Sequence, residues 1–315
     1  MNHSISQQLD RLRPLFVEIP IRIDWLASQQ RLGDRKSSAR GSGRDYCDFR
    51  PLNHGDDLRR INWKMLAKRP ERPMLTLFEE EHTARVCVFT DISPTMDMAS
   101  VALSKLELAT VLTASIMRSA ARTNDQAQLS TYDAGGIVRH YKTRAASRLT
   151  RTGAACVLAT DERSSNTNAK GGLARALQRL NTRRSLVFVI SDFLNLEKED
   201  LEALGRTGQN HEVVCLVIED LRERDLPEMR LLSFLRLPGL YTVIDSSNRQ
   251  QTILTTKSCL RKHARRFDER EQKLFKTLSD CHAKFARMRT DEEHAARKRK
   301  LARIFAGRRL SYDLN

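Results

Sequence analysis

From Arg85 onward, three short runs of the chain are almost wholly apolar: VCVFT (86–90), SLVFVISDF (185–193) and HEVVCLVIED (211–220). Runs of that length without polar alternation suit strands buried on both faces, as in a parallel sheet covered by helices. Helical spacing fills the intervals: LSKLELATVLTASIMRSAAR (103–122), GLARALQRL (172–180) and LEKEDLEALGRT (196–207), the last with a glycine as its stop. AQLSTYD (127–133) alternates as a strand, and GGIVRHYK begins a hairpin partner. GLYTVID and QQTILTT read as shorter strands. Strands alternating with helices predict right-handed crossovers and an α/β fold: a doubly wound, mainly parallel sheet.

The two ends differ from this middle. Residues 5–32 read as a short helix, a Pro-broken segment and a second short helix. Residues 33–84 mix Gly, Arg and Asp densely, which predicts loops and short strands. In 259–289, Leu260, Ala264, Phe267, Leu274, Leu278, Cys281, Phe285 and Met288 recur at steps of three, four or seven. That predicts one helix with an apolar stripe and a basic opposite face. DEEHAARKRKLARIFAGRR predicts another, with Asp291 as N-cap and Gly307 as stop. Three parts result: an N-terminal β/loop segment over 1–84, the α/β domain over 85–256, and basic C-terminal helices over 257–315.

Composition sharpens this picture in two places. The net charge of the 315 residues is +16, and 18 Lys/Arg against 7 Asp/Glu fall between Lys257 and Arg309. That segment alone carries +11, and the rest +5. No aromatic pattern interleaves these cations, so sequence-specific nucleic-acid reading is not expected. The six cysteines form no C-x-x-C pair, and Cys87 and Cys215 lie inside apolar runs. They read as reduced core residues, not zinc ligands. No stretch approaches the roughly 20 apolar residues of a transmembrane helix, and the N-terminus has no apolar h-region. The expectation is a cytoplasmic protein without a transmembrane segment.

In an open parallel sheet, ligands bind beyond the carboxyl ends of strands. Two of the three strong strands end there in an aspartate, Asp91 and Asp192. Asp91 opens the triplet Asp91-Ile92-Ser93-Pro94-Thr95. Alternate residues of extended chain point the same way, so one carboxylate and two hydroxyls can converge. Such hard oxygen ligands suit Mg²⁺. The plainer alternative is a turn capping the next helix.

These residues resemble the metal-ion-dependent adhesion site of von Willebrand factor A domains, a D-x-S-x-S element after a buried strand. The third position here is Thr95, which keeps the hydroxyl and adds a methyl. The resemblance implies a further ligand from a threonine before a helix, matched by Thr167, and from an aspartate after a later strand, matched by Asp192. Thr160 is the weaker match for the threonine. Upstream, Gly55-Asp56-Asp57-Leu58-Arg59-Arg60-Ile61-Asn62-Trp63 resembles the G-D-D-x-R-x-I-x-W element of the bacterial domain-of-unknown-function 58 family. By itself that run reads as structural, with Asp56 and Asp57 pairing Arg59 and Arg60, and Ile61 and Trp63 alternating inward. The family resemblance implies a von Willebrand factor A-like domain and a partnership with MoxR-type AAA+ ATPases in assembling or maturing other proteins.

The chain is therefore expected to be an Mg²⁺-dependent protein-interaction module, with metal ligands Asp91, Ser93, Thr95, Thr167 and Asp192. Nucleic-acid or anionic-surface binding through the basic C-terminal helices is the alternative. Enzyme classes fare poorly. GDRKSSARGSG fails the phosphate-loop pattern, and no H-E-x-x-H or G-x-S-x-G is present. An aspartyl phosphatase needs a second aspartate where Ser93 stands. A metal-dependent hydrolase on the same carboxylates has no evident general base.

Overall fold

The structure, a computed structural model, describes residues 3–19, 46–53, 59, 61–78, 85–143, 147–161, 163, 171–180, 183–224, 240–244, 250–254 and 257–305. In chain order the elements are α1 (His3–Leu12), β1 (Tyr46–Pro51), α2 (Trp63–Lys68), β2 (Met74–Phe78), β3 (Arg85–Asp91), α3 (Lys105–Arg122), β4 (Gln126–Asp133) and β5 (Gly136–Thr143). There follow α4 (Ser147–Leu158), α5 (Gly172–Leu177), β6 (Leu186–Ser191), α6 (Lys198–Asn210), β7 (Glu212–Glu219) and α7 (Leu221–Arg224). The last are β8 (Leu240–Ile244), β9 (Gln250–Leu254), α8 (Lys257–Asp280), β10 (Lys284–Arg289) and α9 (His294–Phe305). Two compact units emerge: Asp24–Thr83, and Met1–Ile23 together with Ala84–Asn315.

In the smaller unit, β1 pairs antiparallel with β2, with a register shift between Tyr46 and Asp48. Ile61 bridges to Leu75, which is buried. Trp63 does not follow Ile61 inward. Asn62 caps α2 through a bond from the Met65 N–H at 3.0 Å, and the helix leaves Trp63 66% exposed. A helical turn breaks the alternation that the inward reading required. Residues 54–58 and 60 lie outside the described residues.

The larger unit holds a six-stranded sheet in the order β10-β7-β6-β3-β4-β5. All neighbours are parallel except β5, which runs antiparallel to β4. The chain starts at β3, winds outward through β4 and β5, then returns to β6 and winds the other way. The order reverses between β3 and β6, so the C-terminal ends of those two strands flank the switch point. β3 is buried from Val86 through Asp91, which is why it reads as an unbroken apolar run.

Helices cover both faces. On one, Cys87 and Phe89 of β3 join Leu173 and Leu177 of α5, Leu204 of α6 and Leu278 of α8. On the other, the Thr90 hydroxyl meets the Thr113 hydroxyl of α3 at 2.8 Å, and Phe305 of α9 packs edge-on to Phe188 of β6. Leu9 and Leu12 of α1 cluster with Val111 and Ala114 of α3 and Ala154 of α4. The segment after α1 is fixed by donation from Val17 N–H to the Ser115 hydroxyl at 2.9 Å.

Three local expectations are corrected. The single helix expected over 259–289 ends at Asp280, and Lys284–Arg289 form the edge strand β10 beside β7. His282, at φ 56°, turns the chain between them. Only Ala286 and Met288 of β10 are buried, so the true period there is two. An edge needs charge to discourage further pairing, and Lys284, Arg287 and Arg289 supply it. Lys284 pairs with Glu212 at 2.7 Å and Arg287 with Glu219 at 3.3 Å. Helix α6 runs through Gly208 to Asn210, so packing overrides the expected glycine stop. Gly208 lies inside it because a Cβ there would meet the Cys281 carbonyl at 2.4 Å. Asp291 is not the cap of α9, which begins at His294; it accepts from Arg289 at 3.0 Å. Gly307 lies outside the described residues.

No helix among the described residues is long and apolar enough to cross a membrane. Cys87, Cys156, Cys215 and Cys281 are free and buried. Burial pushes the Cys87 thiol up to about 11.

Candidate functional site

β3 delivers Asp91 to the switch point with 8% of its surface exposed. Its Oδ1 accepts the Ser93 backbone N–H at 2.8 Å, which bends the chain directly after the strand. Its Oδ2 accepts the Ser191 hydroxyl at 2.7 Å, from the end of β6. Ser191 in turn accepts the Phe193 N–H at 3.0 Å, so one serine ties the two strand ends together. The Ser93 and Thr95 hydroxyl oxygens stand 3.0 Å apart. Ser93 precedes a short 3-10 turn, Pro94–Asp97, but makes no side-chain cap bond to it. The capping reading of the triplet therefore fails, and both hydroxyls belong to the Asp91 cluster.

Asp192 follows β6 and is also buried. Its Oδ1 accepts the Leu194 N–H at 3.1 Å, and the next residue, Phe193, holds a left-handed φ of 51°. Its Oδ2 accepts the Lys105 ammonium at 2.7 Å. Lys105 donates a second bond, to Glu223 Oε1 at 2.5 Å, from the first turn of α7. Asp192 and Glu223 also line a cleft of about 260 Å³ walled by Phe193, Phe267 and Leu274.

The electrostatics follow from burial. The Asp91 carboxyl is pushed up to about 6, first by loss of water and then by the charge of Asp192, with the Ser191 and Ser93 bonds opposing. Burial alone would lower Lys105, but Asp192 and Glu223 outweigh it and hold the ammonium's proton above the ordinary lysine range. The Tyr132 hydroxyl is raised well above its usual range by burial, with Asp91 adding to it.

Of the five expected ligands, Asp91, Ser93 and Thr95 come together, and Asp192 approaches closely enough to perturb Asp91. Thr167 lies outside the described residues. The chain enters that stretch after Arg163, whose guanidinium forks onto Asp97. It leaves at Gly171, before α5. Thr160 lies two residues past α4 and half-buried.

Among the described residues, no three His, Cys, Asp or Glu side chains gather tightly enough to hold a metal alone. The donor set is instead the Asp91 carboxylate and two hydroxyls, all hard oxygens, and among the described residues the hydrogen bonds to that carboxylate come from Ser93 and Ser191 and not from a cation. That chemistry fits a cation such as Mg²⁺, which keeps waters for its remaining positions. Asp91, Ser93 and Thr95 fit directly, whereas Asp192 already has an ammonium on one oxygen.

Sequence reasoning missed Lys105, Ser191, Glu223 and Tyr132. Lys105 had a signal: a lysine at the first helical position, where the helix dipole disfavours a cation. Ser191 stood inside the ISDF run and was passed over as strand. Glu223 had no local signal.

Uncharacterized proteins of Mycobacterium tuberculosis and Mycobacterium bovis are 26% identical over 202 residues, 62% of this chain. The chain spans 62% of the length of these curated relatives. Similar solved structures include a conserved hypothetical protein, BatB, of Bacteroides thetaiotaomicron, at 16% identity and TM-score 0.38, over 71% of this chain and 97% of that one. A von Willebrand factor type A protein of Catenulispora acidiphila is 11% identical with TM-score 0.34, over 74% of this chain and 43% of that one. The sheet order, not these overlaps, defines the doubly wound, von Willebrand factor A-like architecture. The family described as Protein of unknown function DUF58 matches residues 48–273, more than half of the chain, and the chain belongs to that family.

Proposed function

We propose that this protein is a cation-dependent protein-interaction module of the cytoplasm. Asp91, Ser93 and Thr95 hold Mg²⁺ at the switch point, with Thr167 and Asp192 completing the protein's share of ligands. An acidic side chain from a partner supplies a further oxygen. A MoxR-type AAA+ ATPase or its client is the partner this reading favours, in the assembly or maturation of other proteins. The observation that carries it is the convergence of one buried carboxylate and two hydroxyls where the strand order reverses. Two features support an outside ligand. Asp91 is the one carboxylate of the set that an ammonium does not already share, and hydroxyls add no charge to a divalent ion.

Partners captured from lysate in Mg²⁺ and in EDTA, identified by mass spectrometry, test this. The expected result is a set retained only with Mg²⁺ and lost in Asp91→Ala/Ser93→Ala. Identical sets in both buffers overturn the proposal.

A second reading has its own observation. Arg261, Lys262, Arg265, Arg266, Arg270, Lys273 and Lys276 are all exposed along α8. A surface of that charge suits a polyanion or an anionic membrane. It predicts binding that falls steeply with salt and ignores EDTA.

A further inference from the structure

Lys105 is the first residue of α3, next to its Ser104 N-cap. The positive end of a helix repels a cation there. The side chain is also 0% exposed, so its ammonium has lost its water. Neither condition favours a lysine. Both are offset by two carboxylates from separate elements, Asp192 after β6 and Glu223 in α7. An arrangement this costly to the helix is explained by what the lysine does for the carboxylates.

An ammonium and a divalent ion draw on the same carboxylate charge. Asp91, Asp192 and Glu223 bring three negative charges to the strand ends, and Lys105 one positive, a net of minus two. One of those carboxylates, Asp192, is the neighbour of Asp91 and an expected metal ligand. Its Oδ2 faces Lys105, and its Oδ1 holds the Leu194 N–H.

We propose that Lys105 is a tethered cation that sets the site's affinity for divalent ions: by neutralising Asp192 it leaves Asp91 as the single uncompensated carboxylate facing the ion. The inference rests on the reading that the Asp91 loop takes such an ion. It makes Lys105 a positioning residue, acting through Asp192 and not as a ligand. The protein alone then holds its ion weakly, and the missing negative charge is left for a partner's acid to supply.

The test uses the full chain with Mn²⁺ as probe. Free ion is counted by electron paramagnetic resonance, and Mg²⁺-induced change in Tm is read alongside. Lys105→Gln keeps hydrogen-bond donors toward Asp192 and Glu223 but drops the charge. Lys105→Arg keeps the charge. The expected result is Mn²⁺ binding at least about tenfold tighter in Lys105→Gln than in wild type. Lys105→Arg stays within about twofold of wild type. A purely structural lysine would move stability in both variants without this split. If Lys105→Gln is unfolded alone, folding on Mn²⁺ addition, followed by circular dichroism, is the expected signature. Binding no tighter than wild type, or a chain still unfolded in saturating Mn²⁺, overturns the role of Lys105. Asp91→Asn separates the two ideas, because it removes the ligand itself. Tight wild-type binding that Asp91→Asn abolishes and Lys105→Gln leaves unchanged keeps the metal reading and sinks only this one. No Mn²⁺ uptake by wild type or any variant sinks both.

Discussion

Gly172→Ala should cost on the order of 3 kcal/mol or more of unfolding free energy, measured by guanidinium titration. Gly172 opens α5, directly after the stretch that carries Thr167. A Cβ there would stand 1.9 Å from the Asp133 carbonyl oxygen and 3.1 Å from the Ala134 Cα. Both are backbone atoms at the end of β4, so neither can rotate away. The helix start is pinned from other sides too. Ala174 N–H donates to the buried Asp200 at 2.8 Å, and Arg175 donates to the Ala134 carbonyl at 2.7 Å. Relief therefore requires moving α5 off the sheet and uncovering Leu173 and Leu177. Gly205→Ala is the internal control. Nothing lies within 4 Å of a Cβ there, in the middle of α6. Removing a helical glycine should stabilise by roughly 0.5–1 kcal/mol. Equal effects of the two changes would show that the close approach of α5 to β4 is not a constraint.

Asp91→Asn should make the metal-free protein more stable while removing its divalent-ion binding. The carboxylate is buried, lies beside Asp192 and is pushed up to about 6. A carboxyl whose folded value exceeds its unfolded one, near 3.9, favours folding when protonated and opposes it when ionised. The penalty is absent below about 4, grows through the interval up to about 6, and is fully present at neutral pH. Asparagine is close in shape, can still accept the Ser93 N–H, and carries no charge. The gain at pH 7.5 in EDTA should be on the order of 2 kcal/mol. It should shrink as pH falls towards 4, where the wild-type carboxyl takes up its proton. Added Mg²⁺ should raise Tm in wild type and leave Asp91→Asn unmoved. A variant less stable than wild type at pH 7.5 in EDTA would show that the Ser191 and Ser93 bonds outweigh burial. Stability rising on removal of a charge is the mark of a residue kept for binding and not for folding.

Much of the architecture was legible in the chain. A strand buried on both faces has no polar positions to alternate, so β3, β6 and β7 stand out as apolar runs and their interleaved helices imply a parallel sheet. The position of Asp91 and Asp192 at strand ends was equally plain, because each run stops at its acid. Elements that depend on a neighbour were not legible. β10 passed for helix because Phe285 and Met288 continue the spacing of α8, and only the edge of β7 makes Lys284–Arg289 a strand. Gly208 looked like a place for a helix to stop. It lies within α6 because the Cys281 carbonyl comes too close for any side chain.

The same division runs through the site. Sequence alone placed the carboxylate and hydroxyl oxygens of Asp91, Ser93 and Thr95 on one strand-end loop, because the three residues are local; the 3-10 turn Pro94–Asp97, not extended chain, sets the Thr95 hydroxyl beside that of Ser93. Tertiary structure alone decided the charge around them. Ser191 bonds Asp91 across 100 positions, and Lys105 reaches Asp192 across 87 and Glu223 across 118. Side-chain direction is a local property and can be read along the chain. The electrostatic balance of a buried cluster depends on which distant groups share it, and folding sets that.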